Sequence, residues 1–328
     1  MRSLLLTIAA VALLAGGVKL IEYQQQKQYQ EARSAGTDEF MQSGTVVWEG
    51  KKYRKTPGLT TLLIAGIDQE ENPSGGVGTS RYRNGGQADF LMLVAIDSTH
   101  RQIHQLQIDR DTMTDVTVLS VYGRETGARL MQICLSHSYG ANQEENAKYT
   151  LRAVRGLMDD TEISGYYMVD YTAVSALNDA LGGVTVTVPD DMTSVNPLWQ
   201  KGAVVTLAGG EAETFVRTRK TVGEGTNEER MRRQNEFMRQ AVSRLRRQLA
   251  ADASFSAQLL SALKKSASTN LSDQQLLETI QQSAGYEVLP VEYLNGEYRI
   301  GDSGYMEFYP EKESAERWIM NHLFTPQQ

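Results

Sequence analysis

ADFLMLVAIDSTHRQIHQLQIDRDTM (88–113) is the stretch on which the reading of this chain turns. Its first part, DFLMLVAID, is an apolar run with an aspartate at each end, as expected of a strand buried on both faces. Ser98-Thr99-His100 supplies a turn, and RQIHQLQI (101–108) alternates and pairs back against the first run. This second strand ends in Asp109, Arg110 and Asp111, two carboxylates around one guanidinium. Upstream, TTLLIAGI (60–67) lies between Pro57-Gly58 and Asp68 and reads as another buried strand. Asp68, Asp89, Asp109 and Asp111 therefore all stand at strand ends. Aspartate is a common turn former, so any one of them could simply stop a strand. Together they also offer the oxygen ligands that a hard divalent cation prefers. If the strands at 60–67 and 89–97 are parallel neighbours, the Gly- and Asn-rich loop at 69–88 must carry Asp89 back to Asp68.

Outward from this core, strands and helices alternate. TDVTVLSVYG (114–123) has strand character, and helical patterns follow near 125–139 and 144–158. YYMVDY (166–171) is a strand and TAVSALNDALGG (172–183) a helix with a glycine stop. VTVTV (184–188) and VVTL (204–207) are short strands, GGEAETFVRTRK begins as a helix, and 227–251 reads as one long basic helix. Helices near 256–266 and 272–284, strands EVLP and EYRI, and a helix near 310–323 complete the pattern. This order predicts an α/β or α+β sandwich around a mixed sheet.

The chain has 328 residues and a net charge of −7. The charge is uneven: residues 217–247 carry ten Arg and Lys against four Glu. A basic block in an acidic chain implies an anionic partner such as phosphate or a membrane surface. Guanidinium forks suit phosphate oxygens and stay charged when desolvated. Arg217 and Arg219 in VRTRK, and Arg230 and Arg233 three apart on the long helix, are the candidates. Arg239, Arg244, Arg246 and Arg247 read as a solvated basic face. A single cysteine, Cys134, excludes an intrachain disulfide. The four histidines form no metal spacing. GGVGTS (75–80) lacks the Lys-Ser/Thr of a P-loop, and no G-x-S-x-G elbow occurs.

LLLTIAAVALLAGGVKLI (4–21) is almost wholly apolar and follows Arg2. Its length fits a membrane anchor or a signal peptide. Read as an anchor, 1–22 places the N-terminus in the cytoplasm and the remainder outside. Residues 23–50 then form a polar stalk, 51–250 the main domain, and 251–328 helices and short strands that complete it or are appended to it.

The pieces LLIAGID (62–68), ADFLMLVAID (88–97), IDRDTM (108–113), DALGGVTV (179–186), FVRTRK (215–220) and NEERMRRQ (227–234), in that order, resemble the LytR-CpsA-Psr family over roughly 58–250. The resemblance implies an α/β/α sandwich with a mixed central sheet and a hydrophobic tunnel for a lipid tail, preceded by one transmembrane helix. It also implies an extracytoplasmic phosphotransferase of mainly Gram-positive bacteria, moving an anionic glycopolymer such as teichoic acid or capsule from a polyprenyl-pyrophosphate carrier to peptidoglycan. Mg²⁺ or Mn²⁺ would bridge the pyrophosphate. By position, Asp68 and Asp89 match the metal pair, and Arg110 and Asp111 the Arg-Asp after the third strand. Arg217 and Arg219 match an R-x-R pair, and Arg230, Arg233 and Gln234 an R-x-x-R-Q helix. Asp89, Arg110 and Asp111 become the catalytic candidates, with the general base open between the two carboxylates.

Four positions depart from the pattern. Gln87-Ala88 replaces the usual Arg-Ser, and Arg81 or Arg83 in the preceding loop could supply that arginine. Asp109 stands where proline is usual, and Asn227 where an acidic residue is usual. A non-enzymatic alternative is a membrane-tethered binder or regulator that holds anionic wall polymer on the basic helix. A nucleic-acid partner fits poorly with an exported, acidic chain.

Overall fold

The computed structural model describes residues 45–68, 86–120, 122–219, 221–252 and 254–327. The apolar segment 1–22, residues 23–44 and the loop bearing Arg81 and Arg83 lie outside these residues. Among the described residues no helix is long and apolar enough to cross a membrane.

In chain order the first elements are β1 (Thr45–Trp48), β2 (Lys51–Lys55), β3 (Leu59–Asp68), β4 (Gln87–Asp97), β5 (Gln102–Ile108), β6 (Met113–Leu119), β7 (Glu125–Gln132), α1 (Gln143–Leu157), β8 (Gly165–Asp170) and α2 (Thr172–Ala180). They continue with β9 (Val184–Thr187), β10 (Val204–Leu207), α3 (Glu211–Arg217), α4 (Asn227–Ala251), α5 (Phe255–Leu263), β11 (Ala267–Thr269) and α6 (Asp273–Ser283). β12 (Glu287–Tyr293), β13 (Gly296–Ile300), β14 (Met306–Pro310), α7 (Lys312–Leu323) and β15 (Phe324–Pro326) close the fold.

A six-stranded mixed sheet, in the order β11-β8-β3-β4-β5-β12, is the centre. Its inner strands β3 and β4 are largely apolar because both faces are covered. Leu62, Ile64, Phe90 and Met92 point into one core with Leu177 of α2, Phe215 of α3, Phe237 of α4 and Leu259 of α5. Their neighbours Leu63, Ala65, Leu91 and Leu93 point into another, with Val154 of α1 and Trp318 of α7. The result is a layered α/β architecture in which strand alternation feeds two cores at once.

β3 and β4 are antiparallel, not parallel, with Asp68 opposite Gln87. Asp89 nevertheless lies at the same end of the sheet as Asp68, because the first residue of β4, Gln87, pairs with the last of β3. Gly86 enters β4 tight against the end of β3: its φ is +72°, and a Cβ there would lie 2.4 Å from the Asp68 carbonyl oxygen. The ladder then slips. Gly66 pairs with Phe90 and Ile67 with Ala88, so Asp89 is the extra residue of a β-bulge. The slip also moves Ala88 into the α1/α7 core, although strict alternation would place it with Phe90.

Other sequence readings need correction. The helix expected near 125–139 is instead β7, followed by a 3-10 turn at Ile133–His137. β7 is largely exposed and is held by pairing with β6, so long-range register overrides local pattern. β1 lies inside the segment read as polar stalk and pairs with β2. β11 and β12, both beyond residue 251, are the outer strands of the central sheet, and β12 runs parallel to β5.

Candidate active site

The bulge, the β5–β6 loop and the first turn of α4 converge on Asp89. Its side chain is buried, 4% exposed. Arg110 donates to Oδ1 through Nη1. Arg230 Nη1 donates to Oδ2 at 2.8 Å, and the Tyr171 hydroxyl is 3.4 Å from the same oxygen. Burial, reinforced by the Asp89 charge, pushes the Tyr171 hydroxyl well above its ordinary range, so it remains a donor.

Arg110 is largely enclosed. Its Nη2 donates to Gln87 Oε1 at 2.6 Å and to the Cys134 sulfur at 3.2 Å. Burial opposes its charge, but the hydrogen bond to the Cys134 sulfur and the Asp89 and Asp111 carboxylates outweigh that, and the guanidinium is held above its ordinary range. The Cys134 thiol is itself pushed up to about 11, chiefly by burial, so it is an inert neutral neighbour.

Asp111 lies 3.4 Å from Arg110 Nε through Oδ1, which also accepts from Gln132 Nε2 at 3.1 Å. Its Oδ2 is buried and has no hydrogen-bond partner among the described residues. Burial first, and the neighbouring Asp109 charge second, push this carboxyl from 3.8 up to about 6. A carboxyl raised on folding costs nothing below its unfolded pKa, and its penalty grows as pH rises towards the folded value. Asp111→Asn should therefore be more stable than wild type at pH 7, an advantage that disappears by about pH 3. Thermal melts of both proteins across that range check this; an equal difference at both pH values would contradict it.

α4 is set by a capping box: Thr226 Oγ1 accepts from the Glu229 amide at 3.2 Å, and the Glu229 carboxylate accepts from the Thr226 amide at 3.4 Å. This fixes Asn227 and Arg230 towards Asp89. Arg230 Nη2 donates to Asn227 Oδ1 at 2.6 Å.

Arg233 does not join Arg230. It is fully buried and binds Asp190 together with Arg232, and it donates to the carbonyls of Phe215 and Thr218. Side chains three apart on a helix are offset by about 60°, enough to send Arg233 under the end of α3 instead. It anchors the turn that carries Arg217 and Arg219. Arg217 reaches Asp68 at 2.7 Å and Glu213 at 3.2 Å, with its guanidinium 4.9 Å from the Tyr171 ring centre. It is 44% exposed, the most open cation at the site. Arg219 Nε donates to the Gly225 carbonyl at 2.9 Å, and its charge acts on Asp111.

The other basic side chains of α4 are not a solvated face. Arg244 donates to the carbonyls of Leu181 and Gly182, at the end of α2. Arg246 donates to the Tyr286 carbonyl at 2.7 Å, and Arg239 pairs with Glu236. Only Arg247 remains exposed in the manner expected.

An apolar cavity of about 70 Å³ adjoins the charged cluster. Phe90, Val174, Leu177, Phe237, Met238 and Leu263 supply much of its wall. Three of its residues belong to both regions. Tyr171 faces Asp89, Val216 precedes Arg217, and Gln234 lies one turn beyond Arg230 and donates to the Val216 carbonyl at 3.4 Å. The arrangement can hold an anionic group on Arg110, Arg217 and Arg230 while an apolar chain enters the slot.

Asp68 and Asp89 provide the hard oxygen donors that suit Mg²⁺ or Mn²⁺, which commonly retain water and use few protein carboxylates. Among the described residues no cluster of three or more His, Cys, Asp or Glu forms a ready cage. The structure thus brings together Asp68, Asp89, Arg110, Asp111, Arg217, Arg219 and Arg230. It puts Gln234 on the cavity wall and Arg233 behind α3; Arg83 lies outside the described residues. Sequence reading passed over Tyr171, Gln132 and Tyr298. Tyr171 had a signal, since it ends a strand beside the others, whereas Tyr298 had none.

The chain is similar in sequence and in fold to known proteins. The chain is 26% identical over 165 residues to the polyisoprenyl-teichoic acid–peptidoglycan teichoic acid transferase TagU of Halalkalibacterium halodurans, a match covering 50% of this chain and 46% of that protein. The match thus spans about half the length of that curated relative. The crystal structure of B. subtilis TagV superposes with a TM-score of 0.61 at 21% identity, covering 81% of this chain and 97% of TagV. The structure of TagT bound to LI-WTA gives 0.58 at 19% identity, covering 81% and 90%. The model of the LytR_cpsA_psr family matches residues 18–319, nearly the whole chain, and the protein belongs to that family.

Proposed function

We propose that the protein is a cell-wall glycopolymer phosphotransferase, moving an anionic polymer from a polyprenyl-pyrophosphate carrier to peptidoglycan outside the cytoplasmic membrane. The observation that carries this reading is the union of a buried arginine cluster with an apolar cavity through Tyr171, Val216 and Gln234. A lipid pyrophosphate is an anion joined to an apolar chain, and it matches both halves. The names of TagU and of TagT bound to LI-WTA support the same substrate class. The apolar N-terminal segment, read as an anchor, would keep the domain at the membrane that holds the carrier.

Phosphoryl transfer depends on positioning and charge neutralisation. Arg110 and Arg230, already oriented by Asp89, bind the non-bridging oxygens without reorganising at the moment of reaction. Arg217 and Arg219 close the side nearer α3. The acceptor hydroxyl attacks the phosphorus that carries the polymer, and the bond to the polyprenyl phosphate breaks. The proton passes to a site carboxylate, Asp89 or Asp111. Asp68 and Asp89 would hold Mg²⁺ or Mn²⁺, which supplies additional neutralisation of the pyrophosphate.

Calorimetric titration of the full chain with inorganic pyrophosphate, with and without Mg²⁺, distinguishes this reading from a non-enzymatic binder. The transferase reading predicts metal-dependent binding that is lost in Asp68→Ala. Metal-independent, salt-sensitive polymer binding carried by Arg239, Arg244, Arg246 and Arg247 would favour the binder instead.

A further inference from the structure

Asp109 is buried among charges yet takes no part in the proposed chemistry. Each of its oxygens is used. Oδ1 accepts from the Asp111 amide at 2.8 Å and from Asn227 Nδ2 at 2.9 Å. Oδ2 accepts from the Tyr298 hydroxyl at 2.7 Å. Asn227 uses its other end, Oδ1, for Arg230, which in turn holds Asp89. An unbroken line of hydrogen bonds therefore runs from β13 to the centre of the site: Tyr298, Asp109, Asn227, Arg230, Asp89.

The members come from distant parts of the chain. Asp109 ends β5, Asn227 opens α4, and Tyr298 lies on the β13–β14 hairpin. That hairpin makes two further contacts with the same loop. The Phe308 amide donates to the Asp111 carbonyl at 2.8 Å, and Gln132 Nε2 bridges the Met306 carbonyl and Asp111 Oδ1. Tyr298 packs on Phe308 with ring centres 4.8 Å apart. Burial, then Asp109, push its hydroxyl far above the ordinary range, so it stays a donor.

The amide of Asn227 is the joint. It must donate to a carboxylate on one side and accept from a guanidinium on the other, and only one orientation of the side chain does both. Asp109 selects that orientation, since a carboxylate accepts only. A neutral residue at 109 would let the amide turn and present its NH₂ to Arg230, a donor facing a donor.

We propose that Asp109, Asn227 and Tyr298 form a positioning relay in which the Asp109 carboxylate fixes Asn227, and through it aims Arg230 at the transferring phosphoryl group, with the C-terminal hairpin as its outer support. The relay rests on the transferase reading given above. Asp109 and Tyr298 are positioning residues and touch no substrate.

The test uses the full chain with a polyprenyl-pyrophosphate glycan, Mg²⁺ and peptidoglycan fragments, measuring kcat, KM and the melting temperature. Asp109→Asn is expected to lower kcat about 10- to 100-fold, as loss of an outer partner commonly does, with little change in melting temperature. Tyr298→Phe is expected to lower it less. Asp109→Asn combined with Asn227→Asp returns a carboxylate to the line, now directly against Arg230, and should recover most of the lost kcat. A merely structural role would lower stability without that recovery. Wild-type kcat in Asp109→Asn, with Arg230→Ala impaired, overturns the relay and leaves the transferase reading intact. Wild-type protein that neither transfers polymer nor binds pyrophosphate overturns both.

Discussion

Arg110→Ala is expected to reduce polymer transfer by about 10²–10³-fold, the cost of removing one preorganised donor from a charge-stabilised transition state. Three features make this residue more sensitive than Arg217. It sits at the end of β5 on a short loop, so its position is set by the sheet. Gln87, Asp89, Asp111 and Cys134 hold its guanidinium from several sides. It is only 14% exposed, so water cannot substitute for its charge. The loss should fall on kcat and on kcat/KM alike, since the interaction tightens as charge develops. Arg217→Ala, removing a half-exposed guanidinium, should cost less and raise KM more. Steady-state kinetics on the two variants checks the order; equal effects would contradict the account.

Asp89→Ala is expected to cost stability as well as activity. The carboxylate is the shared partner of two enclosed guanidiniums, Arg110 and Arg230. Breaking a buried ion pair by removing one partner costs about 3–5 kcal/mol. Chemical denaturation of wild type and variant reads this directly. If Asp89 were only a strand stop, the change would stay within about 0.5 kcal/mol, as at an ordinary surface position. Asp89→Asn should fall between the two, because the amide oxygen still accepts one donor. A melting curve indistinguishable from wild type for Asp89→Ala would contradict the arrangement described here.

The core strands were legible because their apolar runs are too short for helices and are bounded by turn residues. Leu62 and Leu63 point to opposite faces, and no alternation rule was needed to place both inside. The long helix α4 was legible to its ends, since Thr226 and Glu229 provide a capping box. β7 was not, because an exposed strand has no apolar face to give it period two, and only pairing with β6 holds it. The direction of β4 against β3 was also hidden, as both strands are apolar and only their pairing, Asp68 opposite Gln87, reveals it.

At the site, residue types and strand ends pointed to Asp68, Asp89, Arg110 and Asp111. Helical spacing misplaced Arg233, since its path is decided by Asp190 and two carbonyls on other segments. The departure at Asp109 looked like an isolated change. In the structure it meets another departure, Asn227, at 2.9 Å. Two substitutions far apart in sequence thus prove to be one feature in space, which no reading of either position alone could reveal.

The central claim is that the arginine cluster and the cavity beside it form one site for a lipid pyrophosphate. The most direct measurement is release of polyprenyl phosphate when the full chain is incubated with a polyprenyl-pyrophosphate glycan, Mg²⁺ and peptidoglycan fragments. The account predicts release that requires the peptidoglycan acceptor and is lost in Arg110→Ala. Wild-type protein that binds the glycan but releases no polyprenyl phosphate, with acceptor and metal both present, would contradict it.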